Sequence, residues 1–327
     1  MNIKFRLWLL ATVLLTTVSP AAAQQPTKIP RIGFLFSLSP VANADRIGAF
    51  RQGLRDLRYV EGKNIVVDYR YAEGKRERLG ELAAELVRSR VDVIVSGGPA
   101  VTRPIKDLTA TIPIVMAQDS DPVGNGFVAS LARPGGNITG LSTLAPEISG
   151  KRLELLKEIV PKLSRVAVFG TSTFPGNGQM LKETELAAGA VGVQIQYLDV
   201  RDSKDLESVF RESMKRRPEA GVVLAGAVIF ALRTQIADLA ARNDLPVIFP
   251  QSEYVEDGGL MSYAPNYPDL FRRAATYVDK IVKGAKPAEL PVEQASKFEF
   301  IINLKSAKRI SLAIPPNALA RADKVIK

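Results

Sequence analysis

The chain has 327 residues that are 46% hydrophobic, 24% charged and 7% aromatic, a composition typical of folded globular protein, and at roughly 100–200 residues per domain its length suggests two domains. It contains neither Cys nor His, which excludes disulfides, thiolate nucleophiles, imidazole bases and ordinary zinc sites. The formal net charge is +10, but the clusters Lys75-Arg76-Glu77-Arg78, Lys215-Arg216-Arg217 and Arg272-Arg273 read as solvated helix faces, and no basic stripe interleaved with aromatics marks a nucleic-acid partner.

The first element is a leader. Lys4 and Arg6 precede the apolar run Leu7–Val18, and Ala21-Ala22-Ala23 follow it. This is the pattern of a secretory signal peptide over residues 1–23, with cleavage after Ala23, because the run is shorter than the 18 or so residues that span a bilayer. A soluble periplasmic protein is the expected product. Without a Cys at the cleavage site it carries no lipid anchor there.

Apolar runs then alternate with helical periodicity, which is the signature of βαβ units around parallel sheets. Strands are predicted at Arg31–Ser37, Asn64–Tyr71, Val91–Ser96, Ile112–Ala117, Arg165–Gly170, Val193–Leu198, Ala220–Ala225 and Leu245–Phe249. Leu79, Leu82, Ala83, Leu86 and Val87 keep helical spacing, as do Leu270, Phe271, Ala274, Ala275, Val278, Ile281 and Val282. Pro161 ends the helix that begins near Lys151, and Gly284 is placed to cap the one ending near Lys283.

Four strands recur in the same order at an offset of roughly 130 residues. Arg31–Ser37 overlays Arg165–Thr171, Asn64–Arg70 overlays Val193–Asp199, Val91–Gly97 overlays Ala220–Gly226, and Ile112–Asp119 overlays Leu245–Ser252 with a shared Pro and Gln. Two duplicated lobes are the expectation. Ligands of open parallel sheets bind beyond the carboxyl ends of the strands, so two such sheets facing each other enclose a cleft. The candidate ligand-binding residues are therefore Ser37, Ser39, Ser96, Gly98, Pro99, Asp119, Ser120 and Asp121 in the first lobe, and Ser172, Thr173, Phe174, Gly226, Ser252, Glu253 and Tyr254 in the second. Hydroxyls and glycines open the backbone to a guest, carboxylates accept from an ammonium, and Phe174 or Tyr254 offers a flat wall. A small zwitterion suits this set. The competing role for the same Ser and Asp residues is capping of the following helices.

Asp119–Gly140 is rich in Gly and Pro and reads as turns. Gly124-Asn-Gly126-Phe-Val-Ala129 matches a dinucleotide fingerprint in letters alone, since it does not join a strand directly to a helix. Asn137-Ile-Thr139 fits a glycosylation pattern but reads as a turn leading into the next strand. No catalytic residues, metal or cofactor are expected. A secreted α/β hydrolase would need a G-x-S-x-G elbow, which is missing, and a base other than His.

The stretches Ser120-Asp-Pro-Val-Gly124, Ser130–Gly140, Gly259-Leu-Met-Ser-Tyr263, Ala285–Glu293, Asn303–Lys308 and Ile314-Pro-Pro316 resemble the periplasmic substrate-binding proteins of ABC transporters of the tryptophan/tyrosine type. The resemblance spans nearly the whole chain after the leader. It implies an α/β, type I periplasmic-binding-protein-like fold, with two Rossmann-like lobes of parallel sheet joined by a three-crossing hinge. The crossings would fall near Ser142–Glu147, Ser262–Asn266 and Lys297–Asn303. Residues 27–143 with about 264–296 would form the N-terminal lobe, to which the helix Tyr267–Lys283 returns, and 147–262 with about 297–327 the C-terminal lobe. The implied function is capture of a small solute, an aromatic amino acid or related compound, by a monomer that closes on it and hands it to an ABC permease in the inner membrane. A periplasmic ligand sensor docking on a membrane receptor is the alternative within the same fold. Shifting a two-state closure from 1:99 to 99:1 takes roughly 5.5 kcal/mol of differential affinity, which contacts from both lobes to one guest would supply.

Overall fold

A computed structural model describes residues 28–327; the leader and its cleavage site at residues 1–23 lie outside the described residues. The first sheet contains β1 (Arg31–Phe36), β2 (Val66–Tyr71), β3 (Val93–Ser96), β4 (Ile114–Asp119), β5 (Ile138–Ser142) and the short β11 (Glu293–Gln294), all parallel, in the order β11-β5-β4-β3-β1-β2. The second contains β6 (Arg165–Gly170), β7 (Gln194–Asp199), β8 (Ala220–Val223), β9 (Val247–Phe249), β10 (Met261–Pro265), β12 (Phe298–Asn303) and β13 (Lys324–Ile326). Its order is β13-β12-β10-β9-β8-β6-β7, and only the β10–β12 pair is antiparallel. The duplicated quartets β1–β4 and β6–β9 thus hold equivalent places in their sheets.

Helices cover both faces of each sheet, so each strand buries side chains on both sides. In β1, Ile32, Phe34 and Phe36 enter one apolar cluster while Leu35 enters another; in β6, Val166 and Val168 divide from Ala167 and Phe169 in the same way. The first sheet is flanked by α1 (Ala44–Asp56), α2 (Arg78–Arg88) and α3 (Pro99–Leu108). The second is flanked by α4 (Ala145–Ile159), α5 (Asn177–Ala190), α6 (Leu206–Lys215), α7 (Ala227–Ala231), α8 (Arg233–Arg242) and α9 (Glu253–Glu256), and later by α11 (Leu304–Arg309) and α12 (Pro316–Arg321). Between them in sequence, α10 (Tyr267–Val282) returns to the first sheet, where Leu270, Phe271, Ala274, Ala275 and Val278 pack with Phe34, Phe50 and Leu54. Gly284 follows α10 with φ +100°, and its N–H donates to the Ile281 carbonyl at 2.9 Å, which closes the helix end. Among the described residues, no helix is long and apolar enough to cross a membrane.

The chain passes between the sheets three times. It leaves β5 and enters α4 through Thr143-Leu144, and leaves β10 for α10 at Asn266. The third passage is Ala295–Lys297 and not Lys297–Asn303, because Phe298–Asn303 is itself strand β12 of the second sheet, antiparallel to β10. Leu144 holds φ +56°, an uncommon conformation for a residue with a side chain beyond Cβ, and so marks the first passage as a strained point. One basic cluster also differs from the sequence reading: Lys75–Glu77 lie in a turn before α2 and not on a helix.

Candidate ligand-binding site

The carboxyl ends of β1, β3 and β4 face those of β8 and β9 across a cleft that is closed in this structure. Leu38, from the loop after β1, is buried in an apolar cluster of the second sheet with Phe230, Leu232 and Tyr254. Arg76 Nη1 donates to the Thr173 carbonyl at 3.2 Å, and Ser120 Oγ donates to the Pro175 carbonyl at 3.4 Å. Gly176 sits beside this contact with φ +84°, and a Cβ there would lie 2.5 Å from Ser120 Oγ, so any larger residue would hold the lobes apart.

Between the lobes is an inner chamber of about 70 Å³. Its first-lobe wall carries Ser37, Asn43, Arg46, Gly98, Gln118 and Asp119; its second-lobe wall carries Phe174, Gly226, Phe230 and Gln251; Thr143 comes from the first passage and Tyr267 from the start of α10. The pairing of β4 with β5 shifts register between Met116 and Asp119, a bulge of the kind that re-aims side chains at strand ends. Asp119 is fully buried there. Its Oδ1 accepts from Asn125 Nδ2 at 2.8 Å and from the Asp121 N–H at 3.0 Å, while Oδ2 has no partner among the described residues. Burial raises its pKa to about 7, against the opposing hydrogen bonds from Asn125 and the Asp121 backbone. A carboxylate so desolvated, with one oxygen unused, is an acceptor for a cationic donor.

Arg46 spans the cleft from α1. Its Nη2 donates to Glu253 Oε1 at 2.8 Å and to Gln251 Oε1 at 3.2 Å, both on the second lobe. The guanidinium lies over the rings of Tyr267, at 4.9 Å, and Phe230, at 5.1 Å, and its Nε is buried without a partner among the described residues. Arg152 of α4 is buried with no carboxylate partner among the described residues and donates to the Tyr263 carbonyl of β10 at 2.8 Å and, at 3.5 Å, to that of Pro250 just after β9. Desolvation lowers its pKa to about 10.

Of the residues expected from sequence, Ser37, Gly98, Pro99, Asp119, Ser120, Phe174 and Gly226 line this chamber. Thr173 lines a neighbouring, outer chamber instead. The others have different work. Tyr254 is fully buried and stacks on Phe249 at 4.9 Å between ring centroids, so it belongs to the core of the second lobe and offers no wall to a guest. Asp121 Oδ1 accepts from the Gly124 N–H at 2.8 Å, which ties a turn. Ser96 Oγ is buried and bonded to Thr102 Oγ1 at 2.8 Å. Ser39 Oγ accepts from the Ala42 N–H at 3.3 Å, and Ser172 is engaged by Asp199 through both its N–H and its hydroxyl. Ser252 and Glu253 line a separate cavity, where Glu253 serves as the partner of Arg46. The capping role for these Ser and Asp residues is filled elsewhere: among the described residues, the helix N-caps made by side chains are Asn266 and Asn303.

Sequence reasoning missed Asn43, Arg46, Thr143, Phe230 and Tyr267. Most of these sit in or beside helices, outside the loops after the candidate strands. One signal was available: Arg46 shares the apolar face of α1 with Ile47, Phe50 and Leu54, where an unpaired cation is out of place.

The family model described as "ABC transporter substrate binding protein" matches residues 34–326. A curated relative, the tyrosine-binding protein of Clostridioides difficile (strain R20291), is 24% identical over 263 residues, covering 80% of this chain and 75% of its own. Among solved structures, a conserved domain protein from Vibrio cholerae O1 biovar El Tor is 28% identical with a TM-score of 0.85, covering 91% of this chain and 100% of that one. An ABC domain in complex with L-Trp from Streptococcus pneumonia is 24% identical with a TM-score of 0.85, covering 91% and 99%.

Proposed function

Given that this chain belongs to the family of ABC transporter substrate-binding proteins, we propose that it captures an α-amino acid with an apolar side chain, seating the ammonium on Asp119. The observation that carries this reading is the unpartnered Oδ2 of a fully buried carboxylate lining the chamber between the lobes. An ammonium there replaces the missing hydrogen-bond donor and offsets the cost of burying the charge. Other donors on the chamber wall are the Arg46 Nε, unpartnered among the described residues, and the amides of Gln118, which also donates to the Gly97 carbonyl, and Gln251; these suit the guest's carboxylate. Phe174, Phe230 and Tyr267 provide apolar surface. The tyrosine-binding relative and the L-Trp complex support an aromatic side chain on the guest.

The site residues are, in this reading, the chamber-lining groups named above, and the lobes divide at the three passages. After removal of the leader the protein acts as a monomer in the periplasm, binds without making or breaking covalent bonds, and delivers the guest to an ABC permease in the inner membrane. Isothermal titration calorimetry with L-tyrosine, L-tryptophan and L-phenylalanine tests the central claim against 3-phenylpropionate, which lacks the amine. Micromolar binding of an amino acid with at least tenfold weaker binding of the deaminated analogue is the expected outcome. Equal affinity for 3-phenylpropionate and L-phenylalanine would remove the ammonium from the account.

A further inference from the structure

The inner chamber is small. At about 70 Å³ it is roughly half of the ~150 Å³ apolar cavity that takes up benzene. In the closed form that is room for an amino acid's charged groups but not for its ring. Past Phe174 lies an outer chamber of about 470 Å³. Ser37, Leu38, Ala100, Phe174 and Ala227 line both, so the two spaces meet at these residues.

Their walls differ in kind. The inner chamber presents Asn43, Arg46, Gln118, Asp119 and Gln251, whereas the outer one presents Leu79, Pro175, Val228, Ala231 and Leu232, together with the charged Arg76, Glu77, Arg201 and Asp202. Polarity is therefore sorted along the length of the cleft. The outer volume also exceeds by about threefold what one aromatic ring occupies in such a cavity.

We propose that the guest is bipartite, with an amino-acid head in the inner chamber and an apolar body bulkier than one aromatic ring that passes Phe174 and fills the outer chamber. This rests on the amine-to-Asp119 reading of the head. Burial of the added apolar surface strengthens binding as the body lengthens, until the outer chamber is full. Phe174 then acts as a specificity-determining residue at the junction, and the substrate class is that of amino acids extended through the side chain by a second ring or an equivalent apolar group.

Calorimetric titration of the purified protein with L-alanine, L-phenylalanine and O-benzyl-L-tyrosine tests this, together with the variant Ala231→Trp. Ala231 is exposed at the end of α7, so an indole there occupies the outer chamber without entering a core. O-benzyl-L-tyrosine is expected to bind at least tenfold more tightly than L-phenylalanine. Ala231→Trp is expected to weaken O-benzyl-L-tyrosine at least tenfold more than L-alanine. Tighter binding of L-phenylalanine than of O-benzyl-L-tyrosine, or equal effects of the indole on all three, would overturn the bipartite guest while leaving the head assignment intact. If none of the three binds and Asp119→Asn is equally inert, the head assignment fails and the proposal goes with it.

Discussion

At equivalent strand ends the two lobes offer different chemistry. At the end of β4 the first lobe presents Gln118-Asp119-Ser120, and a register shift places the carboxylate against the chamber. After β9 the second lobe presents Pro250-Gln251-Ser252, where Ser252, the counterpart of Asp119 in the repeat, turns to a different cavity. Charge sits on the first lobe in Asp119 and Arg46, while Phe174 and Phe230 of the second supply ring surface. One duplicated scaffold has thus become an anchor and a cover. A guest is expected to dock its charged end on the first lobe, where the strongest desolvated group waits, and the second lobe then shields that contact from water.

The largest expected effect tests whether the second lobe's tyrosine is core or site. Tyr254→Ala should cost about 3–5 kcal/mol of stability, as for other large buried aromatic truncations, and lower the urea midpoint, with binding by the remaining folded protein little changed. Ligand binding lost at unchanged stability would restore Tyr254 to the site.

Asp119→Asn comes next and tests the anchor. It should weaken an ammonium-bearing guest by about 1.5–3 kcal/mol, ten- to hundredfold, without loss of folding. The same carboxyl predicts a pH dependence. Its folded pKa is about 7 against an ordinary 3.8, so between these values the free folded protein holds a proton that the unfolded chain has released. Stability of the ligand-free protein should fall as pH rises through that window and level off above it, and Asp119→Asn should remove the decline in thermal scans. Affinity for the amine should do the opposite, tightening up to about tenfold per pH unit below 7 as the carboxylate ionises, then flattening.

Gly135→Val is expected to cost about 1–3 kcal/mol, read as a lower melting temperature, because Gly135 holds φ +79° in the turn before β5 and a β-branched residue is strained there. Selectivity among guests should be unchanged. The smallest effect is expected from Asp121→Ala, which removes a turn hydrogen bond worth about 1 kcal/mol and touches no guest; a tenfold loss of affinity would mean that the carboxylate two residues from Asp119 shares the anchoring.

Much of the scaffold was legible because β1 and β6 are apolar on both faces, and such runs stand out in sequence. β5 and β10 were harder, since Ile138-Thr-Gly-Leu-Ser142 and Met261-Ser-Tyr-Ala-Pro265 carry small and polar residues where they meet neighbouring strands and helices. β12 reads as a passage in sequence because nothing in Phe298–Asn303 marks the reversal of direction beside β10. The rule that ligands lie beyond strand ends picked out Asp119, Phe174 and Gly226, which line the inner chamber. It failed to separate Asp119 from Asp121, because a bulge and not composition decides which carboxylate faces inward. It also passed over Arg46 and Tyr267, whose presence in the chamber follows from how α1 and α10 pack.

The return of α10 to the first sheet governs the order in which the molecule becomes solid. Until Tyr267–Val282 has been added, Phe34, Phe36 and Phe50 lack the helix that covers them. The second sheet likewise waits for Phe300, Ile302 and Ala307. A chain cut at Asn266 would leave the aromatic face of Phe34, Phe36 and Phe50 bare to water, so the two halves of the sequence are not independent folding modules.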